Sequence, residues 1–366
     1  MKFKITREAL LRPLQVVSGV VEKRQTLPIL SNVLVNIEAD RLTLTGTDLE
    51  VELTASTQLE GAEGGEITLP ARKFMDICKS LPEDAELSIT IDEQRALIRS
   101  GKSRFNLATL SANDFPATDK VTGAREYAVP QSTLKHLIEQ TQFCMANQDV
   151  RYYLNGLLLE LRPNALRAVA TDGHRLALCD MSSELVPGDI SQIIIPRKGV
   201  VELSRLLSDS DAPCTIQLNS NHIRIDLGEI VFLSKLIDGR FPDYDRVIPK
   251  GGDKIVVAQR ETLRQGLLRA SILSNEKYRG IRMNFSGGLL RATVNNPDQE
   301  EAEEEIDINY SGDELEIGFN VSYLVDALNA IKQDEVQLTL IDPNSSCLIS
   351  GIGDDSSRYV VMPMRL

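Results

Sequence analysis

Hydrophobic and polar positions fall into one order three times along the chain, at a spacing of about 120 residues, which marks an internal repeat. Each time an extended segment runs into an amphipathic helix. Leu10, Leu11 and Leu14 share a helical face within residues 3–17, Leu134, Leu137 and Ile138 within 127–144, and Leu263, Leu267 and Leu268 within 255–273. A strand pair follows and ends in a polar turn pair, Thr47-Asp48, Thr171-Asp172 and Asn295-Asn296, with 124 residues between successive pairs. A second strand-to-helix passage comes at residues 70–74, 196–200 and 319–323. Two or three alternating strands then lead to an apolar residue before proline: Phe115-Pro116, Phe241-Pro242 and Met362-Pro363.

The helices are too few and too short to cross over every strand, so the expected sheets are antiparallel, each repeat covered by two helices. The fold class is α+β with three tandem similar domains, at residues 1–124, 125–252 and 253–366. Linkers are expected near residues 120–123 and at Lys250-Gly251-Gly252-Asp253.

Composition narrows the classes. Of the 366 residues 42% are hydrophobic, enough for ample core, yet no stretch approaches the roughly 18 to 20 apolar residues of a membrane span. The start, Met1-Lys2-Phe3-Lys4-Ile5, lacks a signal-peptide core, so a soluble, cytoplasmic protein is expected. Five widely spaced cysteines in apolar context read as buried free thiols. With His136, His174 and His222 on different elements, neither a metal site nor a cofactor is expected.

No phosphate-binding loop, nucleophile elbow or dinucleotide fingerprint is present. Thr171-Asp172-Gly173-His174-Arg175 does gather a carboxylate, an imidazole and a guanidinium, the raw material of a hydrolase or nucleotide-binding enzyme. Because it fills the slot of Thr47-Asp48 and Asn295-Asn296, a hairpin turn is the more economical reading. The run containing Asp298, Glu300, Glu301, Glu303 and Glu304 lacks the spacing of a calcium loop. It gives the last third most of the net charge of −13, whereas Arg95, Arg99, Lys102 and Arg104 crowd one strand pair of the first third. In a two-fold dimer these could meet as two equivalent junctions, with Phe105 and Leu107 against Ile272 and Leu273 as apolar core.

Several segments now carry a resemblance: Thr-Leu-Pro-Ile-Leu-Ser-Asn from Thr26, Asp-Val-Arg-Tyr-Tyr-Leu-Asn-Gly from Asp149, Thr-Asp-Gly-His-Arg-Leu from Thr171, Gly-Arg-Phe-Pro-Asp-Tyr from Gly239, and the ending Tyr-Val-Val-Met-Pro-Met-Arg-Leu. With the threefold repeat, they resemble the bacterial sliding clamps, the beta subunits of DNA polymerase III, over the whole chain. The resemblance implies a DNA clamp fold: a head-to-tail homodimeric ring of six domains, with helices lining a central hole and sheets on the outer rim. It implies a non-catalytic tether that encloses duplex DNA and serves DNA polymerase III, other DNA polymerases, the clamp loader, and repair and replication-control proteins.

A sequence pI of about 4.9 argues against electrostatic gripping of DNA, which needs a basic surface, but suits enclosure. Candidate inner charges recur on or beside the predicted helices. They are Arg7, Arg12, Arg72, Lys73 and Lys79 in the first repeat, Lys135, Arg197, Lys198 and Arg205 in the second, and Arg260, Arg264 and Arg269 in the third. The resemblance adds Arg24, Gln148, Tyr152 and Tyr153 as loop residues near DNA. The apolar end of the chain, with two methionines, suits a surface that accepts several peptides, while Val360 and Val361 also read as core strand. The resemblance places a peptide pocket there. One wall would be Leu154, Thr171, Gly173, His174, Arg175, Leu176, Pro242, Arg246 and Val247, and the other Asn320, Tyr323, Ser346, Val360, Met362, Pro363, Met364 and Arg365. Partners would insert a short linear motif carrying Gln and a Leu-Phe-like pair. Asn344 stands where an apolar rim residue is expected.

Overall fold

Alternation in the sequence becomes strand wherever one face is buried. In the computed structural model, residues 2–6 alternate exposed and buried, with Phe3 and Ile5 in the core. The structure describes all residues except 23–26, 93, 117–120, 123, 184–189 and 366. Arg24 and both ends of the first expected linker, Lys120 and Gly123, therefore lie outside the described residues.

The first repeat runs β1 (Lys2–Thr6), α1 (Arg7–Ser18), β2 (Asn32–Glu38), β3 (Arg41–Thr47), β4 (Val51–Gln58) and β5 (Gly65–Pro70). It continues with α2 (Ala71–Ser80), β6 (Glu86–Asp92), β7 (Arg95–Ser100) and β8 (Ser103–Ala108). The second repeats this order: β9 (Arg125–Pro130), α3 (Gln131–Thr141), β10 (Gly156–Arg162), β11 (Ala165–Thr171), β12 (Arg175–Ser182) and β13 (Ser191–Pro196). Then come α4 (Arg197–Leu206), β14 (Pro213–Leu218), β15 (His222–Asp226) and β16 (Ile230–Lys235). The third has β17 (Lys254–Gln259), α5 (Arg260–Ala270), β18 (Gly280–Ser286), β19 (Leu289–Asn295), β20 (Glu301–Asp307) and β21 (Leu315–Asn320). It ends with α6 (Val321–Ala330), β22 (Glu335–Leu340), β23 (Cys347–Gly351) and β24 (Ser357–Val361). Each repeat thus places four strands between its helices, where the pattern predicted a strand pair and then one strand leading into the second helix.

The polar turn pairs sit at the tips of hairpins, and two of them are built alike. Thr47 Oγ1 donates to the Val51 carbonyl and accepts from Leu49 N, while Asp48 Oδ1 accepts from Glu50 N and Val51 N. Thr171 and Asp172 do the same for Arg175, Gly173 and His174. An Asx turn of this kind satisfies backbone donors that the tight reversal leaves unpaired. It accounts for Thr-Asp without catalysis.

Sheets do not stop at the repeats. One eight-stranded antiparallel sheet runs β5-β2-β3-β4-β16-β15-β14-β9, and a second runs β13-β10-β11-β12-β24-β23-β22-β17. The joins are β4 with β16, where Glu52 faces Leu233, and β12 with β24, where Leu176 faces Val360. Two four-stranded sheets remain, β1-β6-β7-β8 and β20-β19-β18-β21, ending in the edge strands β8 and β20. The chain divides into two compact units, residues 1–132 with 198–236 and residues 133–197 with 237–366, and each joined sheet lies within one of them.

Helix α1 starts from Thr6, whose hydroxyl accepts from Ala9 N, and buries Leu10, Leu14 and Val17. Gly46 in β3 lets the helix pack close, since a Cβ there would lie 2.4 Å from the Val17 carbonyl oxygen. In the other unit Tyr359 is fully buried and donates to Gln140 Oε1 at 2.5 Å. No helix among the described residues is long and apolar enough to cross a membrane.

All five cysteines are buried and free. Burial pushes the Cys179 and Cys214 thiols up to about 11 and raises Cys78, Cys144 and Cys347 as well. The native state therefore keeps these thiols protonated where the unfolded chain would ionise, so stability present below about pH 9 declines as pH climbs towards 11. Titration of the native protein with a thiol-specific chromogenic disulfide at pH 8 should give almost no reaction, and all five thiols should react in denaturant.

Candidate functional site

The segments that flank the β12–β24 join make one site within the second unit. Arg175 stands at its centre. Its Nε donates to Asp172 Oδ2 at 3.1 Å, Nη1 to Asp326 Oδ2 at 2.5 Å and Nη2 to the Phe143 carbonyl at 2.7 Å. The guanidinium also lies over the Tyr323 ring, 4.5 Å from its centroid. With every arm engaged, the group braces the turn to α6 and has no arm left for acid–base work. The Cys144 thiol lies near Asp172 and Arg175, but burial raises its pKa and keeps it protonated, so it gives the hydrolase reading of Asp172, His174 and Arg175 no activated nucleophile.

The chain end supplies the opposite side. After β24, Met362 N donates to the His174 carbonyl at 2.9 Å and Met364 N to the Gly318 carbonyl at 2.8 Å, so the tail is tied on both flanks. Met362, Pro363 and Met364 are half-buried and Arg365 is exposed. Met364 and Arg365 also line a cavity of about 640 Å³ together with Tyr278, Arg282 and Glu301. Asn320 caps α6 by accepting from Ser322 N, which fixes the turn that presents Tyr323.

The floor is dry. Leu158, Val169, Leu176, Leu178, Ile194, Phe241, Tyr244 and Val360 form a buried cluster, with Tyr153 and Val247 packed against it. Leu154, Leu176, Val360 and Val361 are each at most 2% exposed, so the first three do not stand open to a ligand, and Val361 is strand core. Thr171 is buried in its turn, whereas Gly173, His174, Pro242, Arg246, Val247 and Ser346 remain at least partly exposed. Gly173 adopts φ +88°, and a Cβ there would meet Arg151 Nη1 at 2.8 Å. Asn344 is exposed in a turn, where its N–H donates to Asp342 Oδ1 and helps hold that carboxyl below its usual range.

Three positioning residues escaped the sequence reading. Asp326 is the one charged residue of α6, a signal that was available. Phe143 acts through its carbonyl, which no pattern marks. Tyr244 follows the Phe-Pro pair and is held by a buried polar network: its hydroxyl donates to Glu160 Oε2 at 2.9 Å and accepts from Arg162 Nη2 and Arg167 Nη1. Glu160 is fully buried, paired with Arg162 and bonded by Gln192. Burial pushes the Tyr244 phenol up, which keeps it a neutral donor. The segment bearing Pro242, Arg246 and Val247 is pinned through this ring together with the buried Phe241.

The expected DNA-facing charges divide. Arg12, Arg72, Lys73 and Lys79 are exposed with no ion pair among the described residues. Arg7 is diverted, because its Nε donates to the Cys78 carbonyl at the end of α2. Arg264 is held by Glu261 and Arg269 by Glu304, each through two bonds, and Arg205 pairs with Glu202. Lys198 bridges Glu22 and Asp48, Lys135 pairs with Glu139, Arg197 donates to the Met145 carbonyl, and Arg260 to the Gln333 carbonyl. Gln148 holds φ +57°, and Tyr152, 58% exposed, packs edge-on against Tyr153.

The two edge strands carry opposite charge. Arg104 on β8, with Arg95, Arg99 and Lys102 beside it, is exposed; Phe105 is half-buried and Leu107 buried. On the other side Asp298, Glu300, Glu301 and Glu303 are exposed, and Ile272 is 75% exposed beside the half-buried Leu273. Glu303 pairs with Arg291 and Glu304 with Arg269, so two of the expected interface acids already have partners in their own unit.

The N-terminal, central and C-terminal domain models of the DNA polymerase III beta subunit match residues 1–119, 128–243 and 245–365. The chain belongs to the DNA polymerase III beta-subunit family, the beta sliding clamps. It is 59% identical to the beta sliding clamp of Pseudomonas putida and 53% identical to that of Escherichia coli, with both chains covered in full. It also superposes with a TM-score of 0.97 on the Pseudomonas aeruginosa sliding clamp solved with griselimycin bound, at 57% identity over the whole of both chains. As a member of this family the chain is a DNA sliding clamp of DNA replication and not an enzyme.

Replacing Tyr244 by Phe removes the donor to the buried Glu160 carboxylate and frees the segment above it. Binding of a peptide carrying Gln and Leu-Phe, followed by fluorescence polarisation, should weaken by roughly fivefold to tenfold, although Tyr244 is not itself at the opening.

Proposed function

We propose that two copies close head to tail through β8 of one and β20 of the other, enclose duplex DNA, and recruit partners through the pocket built on the β12–β24 join. The observation that carries this reading is the inventory of sheet ends. In each chain β4 has found β16 and β12 has found β24, which leaves β8 and β20 as the equivalent pair without each other. An unpaired edge strand is a template for another strand, and the opposite charges choose which.

The register follows from the repeat. Leu107 and Leu233 each precede their Phe-Pro pair by eight residues, and Glu301 faces Asn295 across its hairpin as Glu52 faces Thr47. Since Glu52 faces Leu233, Glu301 would face Leu107 of the second copy. Arg104 then falls opposite Glu304 and joins the pair that Glu304 makes with Arg269. Ile272 and Leu273 supply apolar cover with Phe105.

The three domains are taken as residues 1–124, 125–252 and 253–366, each contributing two helices. Arg12, Arg72, Lys73 and Lys79 are the charges readiest to meet phosphate. Paired residues such as Arg264 and Arg269 would add local charge without gripping, which suits a tether that must slide. The pocket takes a linear motif of DNA polymerase III, other polymerases, the clamp loader, or repair and replication-control proteins. Its apolar part lies over Leu176 and Val360, and His174, Arg246 and Arg365 are polar groups at its edge. The work of such a protein is in the cytoplasm.

Loaded by its clamp loader and ATP onto a nicked circular plasmid, the protein should stay bound as salt is raised and leave when the plasmid is cut once; loss from the intact circle at high salt would overturn enclosure. Reversing one edge charge, Arg104→Glu, should raise the dimer dissociation constant at least tenfold by analytical ultracentrifugation, whereas Arg12→Glu should leave it unchanged.

A further inference from the structure

Past Met364, on the solvent face of β18 and β19, lies the cavity of about 640 Å³. Its place in the repeat indicates the kind of occupant. Arg282, Thr293 and Gly318 stand 124 residues after Leu158, Val169 and Ile194, and Arg282 faces Thr293 and Gly318 as Leu158 faces Val169 and Ile194. In the second repeat a stretch of chain lies over this surface, with Phe241, Tyr244 and Val247 packed on it. In the third repeat Arg282 is exposed and Thr293 half-buried, and Gly280 lines the hollow without a side chain to fill it. The surface that takes up an extended segment in one repeat is thus open and polar in the next.

Charge divides the cavity. On the side of the tail stand Arg282, Arg365, exposed and with no ion pair among the described residues, and Lys277, whose Nζ lies 5.2 Å from the Tyr278 ring centroid. The acids of that side are Glu276, next to Lys277 in the chain, and Glu316, which meets Arg282 at 3.5 Å with both side chains about half exposed, a weak pair. Glu301, Glu300 and Asp298 belong to the β19–β20 hairpin opposite, and β19 separates that strand from Arg282 by two strand spacings, about 10 Å.

Tyr278 ties the cavity to the pocket. Asn275 Oδ1 accepts from Lys277 N and Tyr278 N, an Asx turn that presents the tyrosine 56% exposed, and the Tyr278 carbonyl accepts from Asn320 Nδ2 at 3.3 Å. Asn320 also caps α6, so one fixed edge serves both hollows.

We propose that the cavity extends the peptide site and receives the partner residues that precede the Gln of the motif, in extended form and with an Asp or Glu among them. The acidic side chain meets Arg282 and Arg365, and the backbone crosses Gly280 beside the Thr293 hydroxyl and the Asn295 amide. With the Leu-Phe pair over Leu176 and Val360, the Gln end is left for Asn320 and Met364, beyond which the cavity opens. The assignment rests on the reading of the pocket as a peptide site, and it sets a charge preference for residues outside the motif.

Fluorescence polarisation on the full-length protein tests this with three labelled peptides: the motif alone, and the motif preceded by Ser-Asp-Asp-Ser or by Ser-Lys-Lys-Ser. The acidic extension should tighten binding roughly fivefold over the motif alone, and the basic one should not tighten it. Arg282→Ala and Thr293→Tyr, the second filling the hollow with a residue that strands accept, should each cut the gain to less than about twofold. The motif alone should bind both variants as before, which shows the fold and the pocket intact. No gain from the acidic extension, an equal gain from the basic one, or a gain indifferent to either substitution would each overturn the extension. So would a Thr293→Tyr protein that keeps the gain but loses its dimer by analytical ultracentrifugation, since the hollow would then belong to a second copy. Failure of the pocket reads out separately, as binding of the motif alone that survives Met364→Ala.

Discussion

A β-strand at the edge of a sheet presents a row of backbone donors and acceptors that must find partners, and this requirement organises the molecule. Each repeat ends two four-stranded sheets in an outer strand. Where the next repeat follows in the same chain, the outer strands meet and become interior, as β4 with β16 and β12 with β24. The proposed partner pocket is a by-product of such a join. It forms where the hairpin before β12 and the tail after β24 flank one seam, so the pocket's place follows from the pairing of strands and its specificity from the side chains that fill it.

The seam also explains how a common turn acquires a role. Thr47-Asp48 and Thr171-Asp172 make the same backbone bonds, and neither is chemically active. What distinguishes the second is Arg175, clamped by Asp172, Asp326 and the Phe143 carbonyl and stacked on Tyr323, so that the turn and α6 hold a fixed spacing. A rigid frame of this kind limits the ordering cost when a flexible segment docks. The buried Tyr244 network does the same for the segment on the other side.

Much of this was legible before any coordinates. The three-part order, the six helices and the hairpin nature of the Thr-Asp pairs all follow from periodicity and the 124-residue interval. The fourth strand between the helices was not; in the second repeat β10 is buried nearly throughout and loses the alternation that marks a half-exposed strand. Joins across repeats cannot be read from local pattern either, since they depend on which edges come together. For the site, residue type named Arg7, Arg264 and Arg269 as free cations, but tertiary context commits them to a helix end or to glutamates. Leu154, Leu176 and Val360 were expected to line a peptide pocket but are buried, a distinction that only burial makes.

The charge split between β8 and β20 bears on solubility as well as on assembly. In the proposed ring, a break at a β8–β20 junction exposes two strand edges, each a hazard for misassociation. Arg104 and its neighbours on one, and the glutamates on the other, make β8 repel β8 and β20 repel β20. Pairings between like edges are thereby penalised while the proposed β8–β20 pairing is favoured.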